Sequence, residues 1–526
     1  MTARVLLMVC LGMGWVAPSG LHAFDQAGLE RKASNYLESV RRKPPLLLAF
    51  LQEIPKGGDL HNHLFGTIYA ESLINFAADD GLCVNRSTLF LQAAPCDRSC
   101  GARNENHPLA SCAYDDQTLY NSIVDAWSMR NWTPLHESGH DHFFATFDKF
   151  LPALPKHIGE LLAEAASRAA ADRLQYVELM HTADGDQAAQ LGEKVGWRDD
   201  FGTLREKLLD SGLKSVVAST RADLDRDQAR MRSLLKCDTP DVAPGCRVKV
   251  RFLYQVLRGL PRQQVFAQML LGFELAQVDL RFVGLNLVMP EDWYLPMRDF
   301  ELHMRMLDYL HGIYPKVRIS LHAGELALGL VPPEGLRFHI RDSIERGHAE
   351  RIGHGVSIMS ERDPLALLQE MARRNVLVEI CLTSNDLILG VSEQRHPLPV
   401  YMQNGVPVAL ATDDQGIARS DMTHEWLRAT ESYNLSYSDL KRWHARAWSI
   451  VFCPGRASGR RRRIFEWSGS ACGMTPGKKK SQPNVVFCSI AASALECNGF
   501  WRANSPSSRA DIEARPGDSP LPPLVV

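Results

Sequence analysis

The stretch Ser320-Leu321-His322-Ala323-Gly324-Glu325 closes the apolar run Val317-Arg318-Ile319-Ser320-Leu321. A β-branched apolar run that breaks at a glycine reads as a buried strand passing into a loop. At its carboxyl end stand an imidazole, His322, and, three residues on, a carboxylate, Glu325. These are the parts needed to hold a metal and to move a proton. A single His-x-x-Glu arises often by chance. The weight lies in its repetition along the chain.

Upstream, Gly57-Gly58-Asp59-Leu60-His61-Asn62-His63 reads as a short strand. Side chains two apart on a strand share a side, so both imidazoles can reach one point. Downstream, residues 351–355 end at His354-Gly355, and the run 406–411 leads into Asp413-Asp414. Further strand-like runs cover 174–180, 248–257, 282–288 and 377–382, with amphipathic helical patterns between them, as at 263–276, 298–314 and 364–375. Eight strands alternating with helices predict an α/β chain folded as a (β/α)8 TIM barrel. A doubly wound open sheet fits less well, because no Gly-rich phosphate loop follows the first strand. In such a barrel the active site is built at the carboxyl ends of the strands. His61, His63, His322, Glu325, His354, Asp413 and Asp414 all fall there. Any one alone is more often a satisfied core histidine or a solvated turn; seven on one barrel face are not.

Bulk composition agrees with a water-soluble globular protein. The 526 residues are 45% hydrophobic with a formal net charge of −2, and mean hydropathy is −0.18 with a pI near 6.8. That balance gives no electrostatic case for nucleic acid or an anionic membrane as partner. The amino terminus stands apart: Arg4, an apolar run over 5–17 and small residues up to Ala23 predict a signal peptide over 1–23. The run is too short to span a bilayer, so export to the periplasm or the extracellular space is expected. A helical arm over 24–55 follows, then the barrel over 56–447. Within it, the polar, Cys-bearing segment 80–140 suits a lid or insertion on the mouth, and helix-period sequence runs over 143–173. Disulfides are expected among Cys83, Cys96, Cys100 and Cys112, whose connectivity the sequence leaves open, and between Cys237 and Cys246. Cys381, inside an apolar strand, reads as a buried free thiol.

His61, His63, His322 and Asp413 form a borderline-hard ligand set suited to one Zn2+ ion. Four protein ligands plus a water imply five-coordination, and no strand-end lysine is present among them to bridge two metals. The ion would lower the pKa of its water toward ~7. His354 would orient or deprotonate that water, and Glu325 would act as a general acid.

The ordered series H-N-H-L, S-L-H-A-G-E, R-I-G-H-G, L-T-S-N and A-T-D-D resembles the adenosine deaminase family over roughly residues 50 to 445. The long first loop, the amino-terminal leader and the phrase S-D-M-T-H-E-W are most similar to its extracellular, growth-factor-related branch. The resemblance implies zinc on His61, His63, His322 and Asp413, protonation of purine N1 by Glu325, hydroxide held at C6 by His354, and a hydrogen bond from Asp414 to N7. The products would be inosine or 2′-deoxyinosine and ammonia, and the partner a small purine nucleoside; a homodimer stays open. Two positions depart from the pattern. Phe65 stands where the family has an aspartate that contacts the ribose 5′-hydroxyl, which makes 5′-modified nucleosides conceivable. Met289 stands where the family has a glycine whose N–H faces purine N3, so base selectivity is expected to differ.

Beyond about Ala447 the chain changes character, with Arg460 to Arg463, Lys478 to Lys480 and no sustained period. Trp448 is encoded by TGG alone, and one permitted codon set for the following residues, regrouped by one base, reads L-E-Y-S-F-L-P-G-E-S-L-W. That resembles the elements that close the barrel in the family, so 448–526 reads as a frameshifted, disordered tail. Two other functions stay open: a metal-dependent amidohydrolase acting on another nucleoside or ring amide, and a secreted, non-catalytic binding protein on the same barrel.

Overall fold

The computed structural model describes residues 26–97, 100, 106–135 and 137–449. The expected leader and nearly all of the expected tail lie outside the described residues. Eight parallel strands form the centre: β1 (Gly57–His63), β2 (Leu174–His181), β3 (Lys249–Leu257), β4 (Phe282–Val288), β5 (Ser320–Ala323), β6 (Arg351–His354), β7 (Leu377–Ile380) and β8 (Val408–Leu410). They pair in two runs, β1-β2-β3-β4 and β5-β6-β7-β8. Parallel bridges Leu285↔Ile319 and Asn62↔Asp413 join the runs at both seams. The result is the (β/α)8 barrel.

Sequence accounts for most of these elements. Strands β4 to β8 are buried along their whole length, as parallel strands covered by helices must be. The helix Pro364–Arg374 starts where Asp363 accepts from the Ala366 amide with proline at the first position, and ends at Asn375 in the left-handed conformation. Between 143 and 173 two helices stand where one periodic stretch was expected, Gly139–Phe150 and Ile158–Ala171. Pro152 and Pro155 lie in the break, and proline removes the amide a continuous helix needs.

The segment after β1 carries more regular structure than its composition suggests. It holds a ribbon of Cys83–Val84 with Leu91–Gln92, and the helix Gln117–Ala126 capped by the Asp116 carboxylate. Disulfides Cys83–Cys96 and Cys100–Cys112 tie this segment, and Cys237–Cys246 closes the loop before β3. Cys381 is free and buried. In the arm, the helices Gln26–Val40 and Pro44–Glu53 bury Leu37, Val40, Leu47 and Leu51, while Leu46 faces outward. No helix among the described residues is long and apolar enough to cross a membrane.

Candidate metal and active site

The carboxyl ends of β1, β5, β6 and β8 bring together the residues singled out by the sequence. His61 Nε2 and His63 Nε2 each lie 3.3 Å from Asp413 Oδ1. His63 Nε2 lies 3.2 Å from His322 Nε2. His61, His63, His322 and Asp413 offer ligand atoms all within 4.8 Å of one another.

Hydrogen-bond polarity decides what those atoms can do. His61 Nδ1 meets the Glu379 carboxylate at 2.7 Å, which can only accept. His322 Nδ1 meets Asn286 Oδ1 at 2.9 Å, and the same oxygen accepts the His322 amide, which identifies it as oxygen. His63 Nδ1 meets Gln255 Oε1 at 3.0 Å. Each Nδ1 therefore carries the proton, and three Nε2 lone pairs converge beside a carboxylate. Two facing lone pairs at 3.2 Å repel unless a cation lies between them, so this donor set fits a divalent metal.

The surrounding electrostatics point the same way. Burial opposes a charge on His61, yet with no cation bound the Asp413 and Glu379 carboxylates outweigh it, push its pKa up to about 10 and hold a proton on Nε2, which a metal ion binding there would displace. The pocket attracts positive charge strongly. Ser384 Oγ donates to Asp413 Oδ2 at 2.6 Å and orients that carboxylate.

Glu325 and His354 sit beside this point. His354 Nε2 is 3.6 Å from Glu325 Oε1 and 3.9 Å from Asp413 Oδ2. Burial, reinforced by Asp413 and Glu291, raises the Glu325 pKa well above the usual carboxylate range. Burial thus favours the protonated form of Glu325, which suits a group that gives a proton. Burial also pushes Asp414 up to about 8. Its Oδ1 is buried without a hydrogen-bond partner among the described residues. Gly66 leaves room for it: a Cβ there would meet Asp414 Oδ1 at 1.6 Å.

Backbone strain gathers here too. Met289, His354 and Asp413 have φ of 82°, 66° and 57°, a region that costs a non-glycine residue roughly 1–2 kcal/mol. Such outliers concentrate at functional sites. Met289 thus holds a conformation natural to glycine, and its carbonyl accepts from Arg258 Nε at 3.0 Å. Phe65 is half-buried, its ring edge-on to His181 at 5.6 Å.

Several residues that sequence reading passed over hold the site in place. Glu379, Asn286 and Gln255 set three imidazole tautomers, as above. Glu291 accepts the Gly324 and Glu325 amides at 3.1 and 2.8 Å and so fixes the loop that carries Glu325. Arg258 Nη1 donates to the His322 carbonyl at 3.0 Å. A signal existed for Glu379, a charge inside the apolar run L-V-E-I. None existed for Gln255 or Asn286, which look like ordinary strand residues.

The adenosine deaminase family model matches residues 119–466 of the chain. The chain belongs to the adenosine deaminase family. Among similar proteins, an adenosine deaminase of Clostridium perfringens is 30% identical over 137 residues, 26% of this chain and 38% of that protein. One of Escherichia coli is 35% identical over 135 residues, 26% of this chain and 37% of that protein. The aligned segments thus span well under half the length of these adenosine deaminases. Among solved structures, Arabidopsis ADAL complexed with IMP superposes with a TM-score of 0.51 at 18% identity, covering 77% of this chain and 94% of that one. At that identity the likeness is one of fold.

Proposed function

We propose that this protein is a zinc-dependent deaminase that hydrolyses the 6-amino group of adenosine or 2′-deoxyadenosine to give inosine or 2′-deoxyinosine and ammonia. The observation that carries this reading is the sorting of four histidines, three of them buried and His63 half-buried. Three present lone pairs to one point beside Asp413, and the fourth, His354, stands next to Glu325, a carboxyl whose protonated form burial favours.

His61, His63, His322 and Asp413 would hold the ion, which when bound would supply a hydrolytic nucleophile from water at neutral pH. Glu325 would give its proton to ring N1, drawing electrons from C6. His354 would hold the nucleophilic oxygen in line with C6. Asp414, protonated at neutral pH because burial raises its pKa to about 8, would donate to the N7 lone pair. Phe65, half-buried, would stand where the family's aspartate meets the ribose 5′-hydroxyl and would favour apolar 5′-substituents. The three disulfides support an oxidising compartment, in keeping with a leader over 1–23 and with export as in the growth-factor-related branch.

The test is ammonia release from adenosine, 2′-deoxyadenosine and 5′-modified adenosines, with bound metal assayed alongside. It is run on the chain as written and on one with the reading frame restored after Ala447. Turnover with about one zinc per chain is expected. Stoichiometric metal without ammonia from any purine nucleoside would overturn the reading in favour of another ring amide.

A further inference from the structure

The fourth histidine differs from the other three in its hydrogen bonding, and the difference traces back to a backbone amide. The Leu398 N–H donates to His396 Nδ1 at 3.1 Å. Leu398 is the first residue of the helix Leu398–Gln403, so its amide has no partner within that helix. A ring nitrogen that accepts an amide hydrogen carries none itself. His396 is 2% exposed, and burial holds it neutral, pushing its pKa down to about 4. Its single ring proton therefore sits on Nε2.

From there the polarity propagates. His396 Nε2 lies 3.1 Å from Asn385 Oδ1, which accepts that proton. The amide nitrogen of Asn385 is then turned to His354, 2.9 Å from Nδ1. An amide NH2 can only donate, so His354 Nδ1 accepts. The remaining ring proton of His354 lies on Nε2, the atom that faces Glu325 and Asp413.

We infer that His396 and Asn385 are positioning residues that lock His354 in the Nε2–H form, so that His354 holds the nucleophilic oxygen as a hydrogen-bond donor and is not the base that deprotonates it. The inference rests on the deaminase reading for its kinetic consequence, though not for the tautomer. It also separates two candidate metal sets. His61, His354, Cys381 and Asp413 likewise place ligand atoms within 4.8 Å of one another, but a protonated Nε2 has no lone pair to give. His354 is therefore excluded as a ligand, and the ion belongs on the three-imidazole set.

The experiment is nitrogen NMR of histidine side chains in the full-length, zinc-loaded chain labelled with [13C,15N]histidine, the His354 ring being assigned by its loss in His354→Gln. The wild type is expected to show His354 with Nε2 protonated and Nδ1 bare. A ring protonated on Nδ1, or on both nitrogens, would overturn the inference. In His396→Leu the His354 ring should become a mixture of tautomers. The same variant should lose about 100-fold in kcat with KM within about threefold and unchanged zinc content. His396→Gln, whose amide can still donate to Asn385, should recover most of that loss. A kcat that His396→Leu leaves intact would sink the kinetic half. Should His396→Leu fail to fold, the wild-type spectrum alone decides. Should no purine nucleoside be turned over while the Nε2–H form is seen, the deaminase reading falls and the relay stands.

Discussion

Glu379 Oε2 sits 2.7 Å from His61 Nδ1, deep in the barrel, and neither side chain is exposed. The carboxylate fixes the tautomer of His61 and makes its Nε2 a stronger donor to a cation. Glu379→Gln keeps the shape and removes the charge. Affinity for zinc should fall about 10- to 100-fold, read by competition with a chromogenic chelator. An unchanged affinity would mean that Glu379 serves packing alone.

Arg351 lies between two carboxylates, bonded to Glu178 and with Nε 2.7 Å from Glu379 Oε1. All three are wholly buried. Arg351→Met removes the only cation of this triad and leaves two buried negative charges facing each other. Breaking such a group costs about 3–5 kcal/mol, to be measured as a lowered urea midpoint. Arg351→Met with Glu178→Gln should recover part of the loss, since one stranded charge is gone.

Glu361 accepts the amides of Ile340 and Arg341 at the start of the helix His339–Glu345. Burial pushes its pKa up to about 7, against the opposing pull of those amides. A carboxyl whose folded pKa lies above its unfolded value stabilises the fold fully below about pH 4.5. That contribution is lost as pH rises toward 7. For this shift the loss is on the order of 3 kcal/mol. Glu361→Gln keeps the acceptor and does not ionise. The stability difference between wild type and variant should therefore move against the wild type between pH 4.5 and 7.5. A difference that stays constant would show that Glu361 titrates normally.

Met289→Gly sets two effects against each other. Releasing φ of 82° gains roughly 1–2 kcal/mol, and losing the half-buried side chain over Gly259 and beside Val288 forfeits a similar amount. Stability should change by less than about 1 kcal/mol. KM for purines substituted on the pyrimidine ring should fall about tenfold as bulk is removed. Equal KM values in both proteins would place Met289 away from the base.

The eight strands and their functional ends were legible because the signals are local. A buried parallel strand must be apolar along its length, and polar residues accumulate where it stops, as at His61, His322, His354 and Asp413. The break between the helices Gly139–Phe150 and Ile158–Ala171 was also written locally, in Pro152 and Pro155, although the helical period across 143–173 masked it. Glu379 was visible as a charge in an apolar run, but its partner was not, because His61 lies 318 positions away.

The sequence by itself determined the strand order, the candidate ligand types and the family, all properties of short segments read one at a time. Only the tertiary structure decided which cysteines pair in the segment after β1, and which of four chemically identical imidazoles give lone pairs and which gives a proton. The reason is physical. A histidine's tautomer is set by what its other nitrogen meets, and for His61, His63, His322 and His354 that partner comes from a different strand or loop.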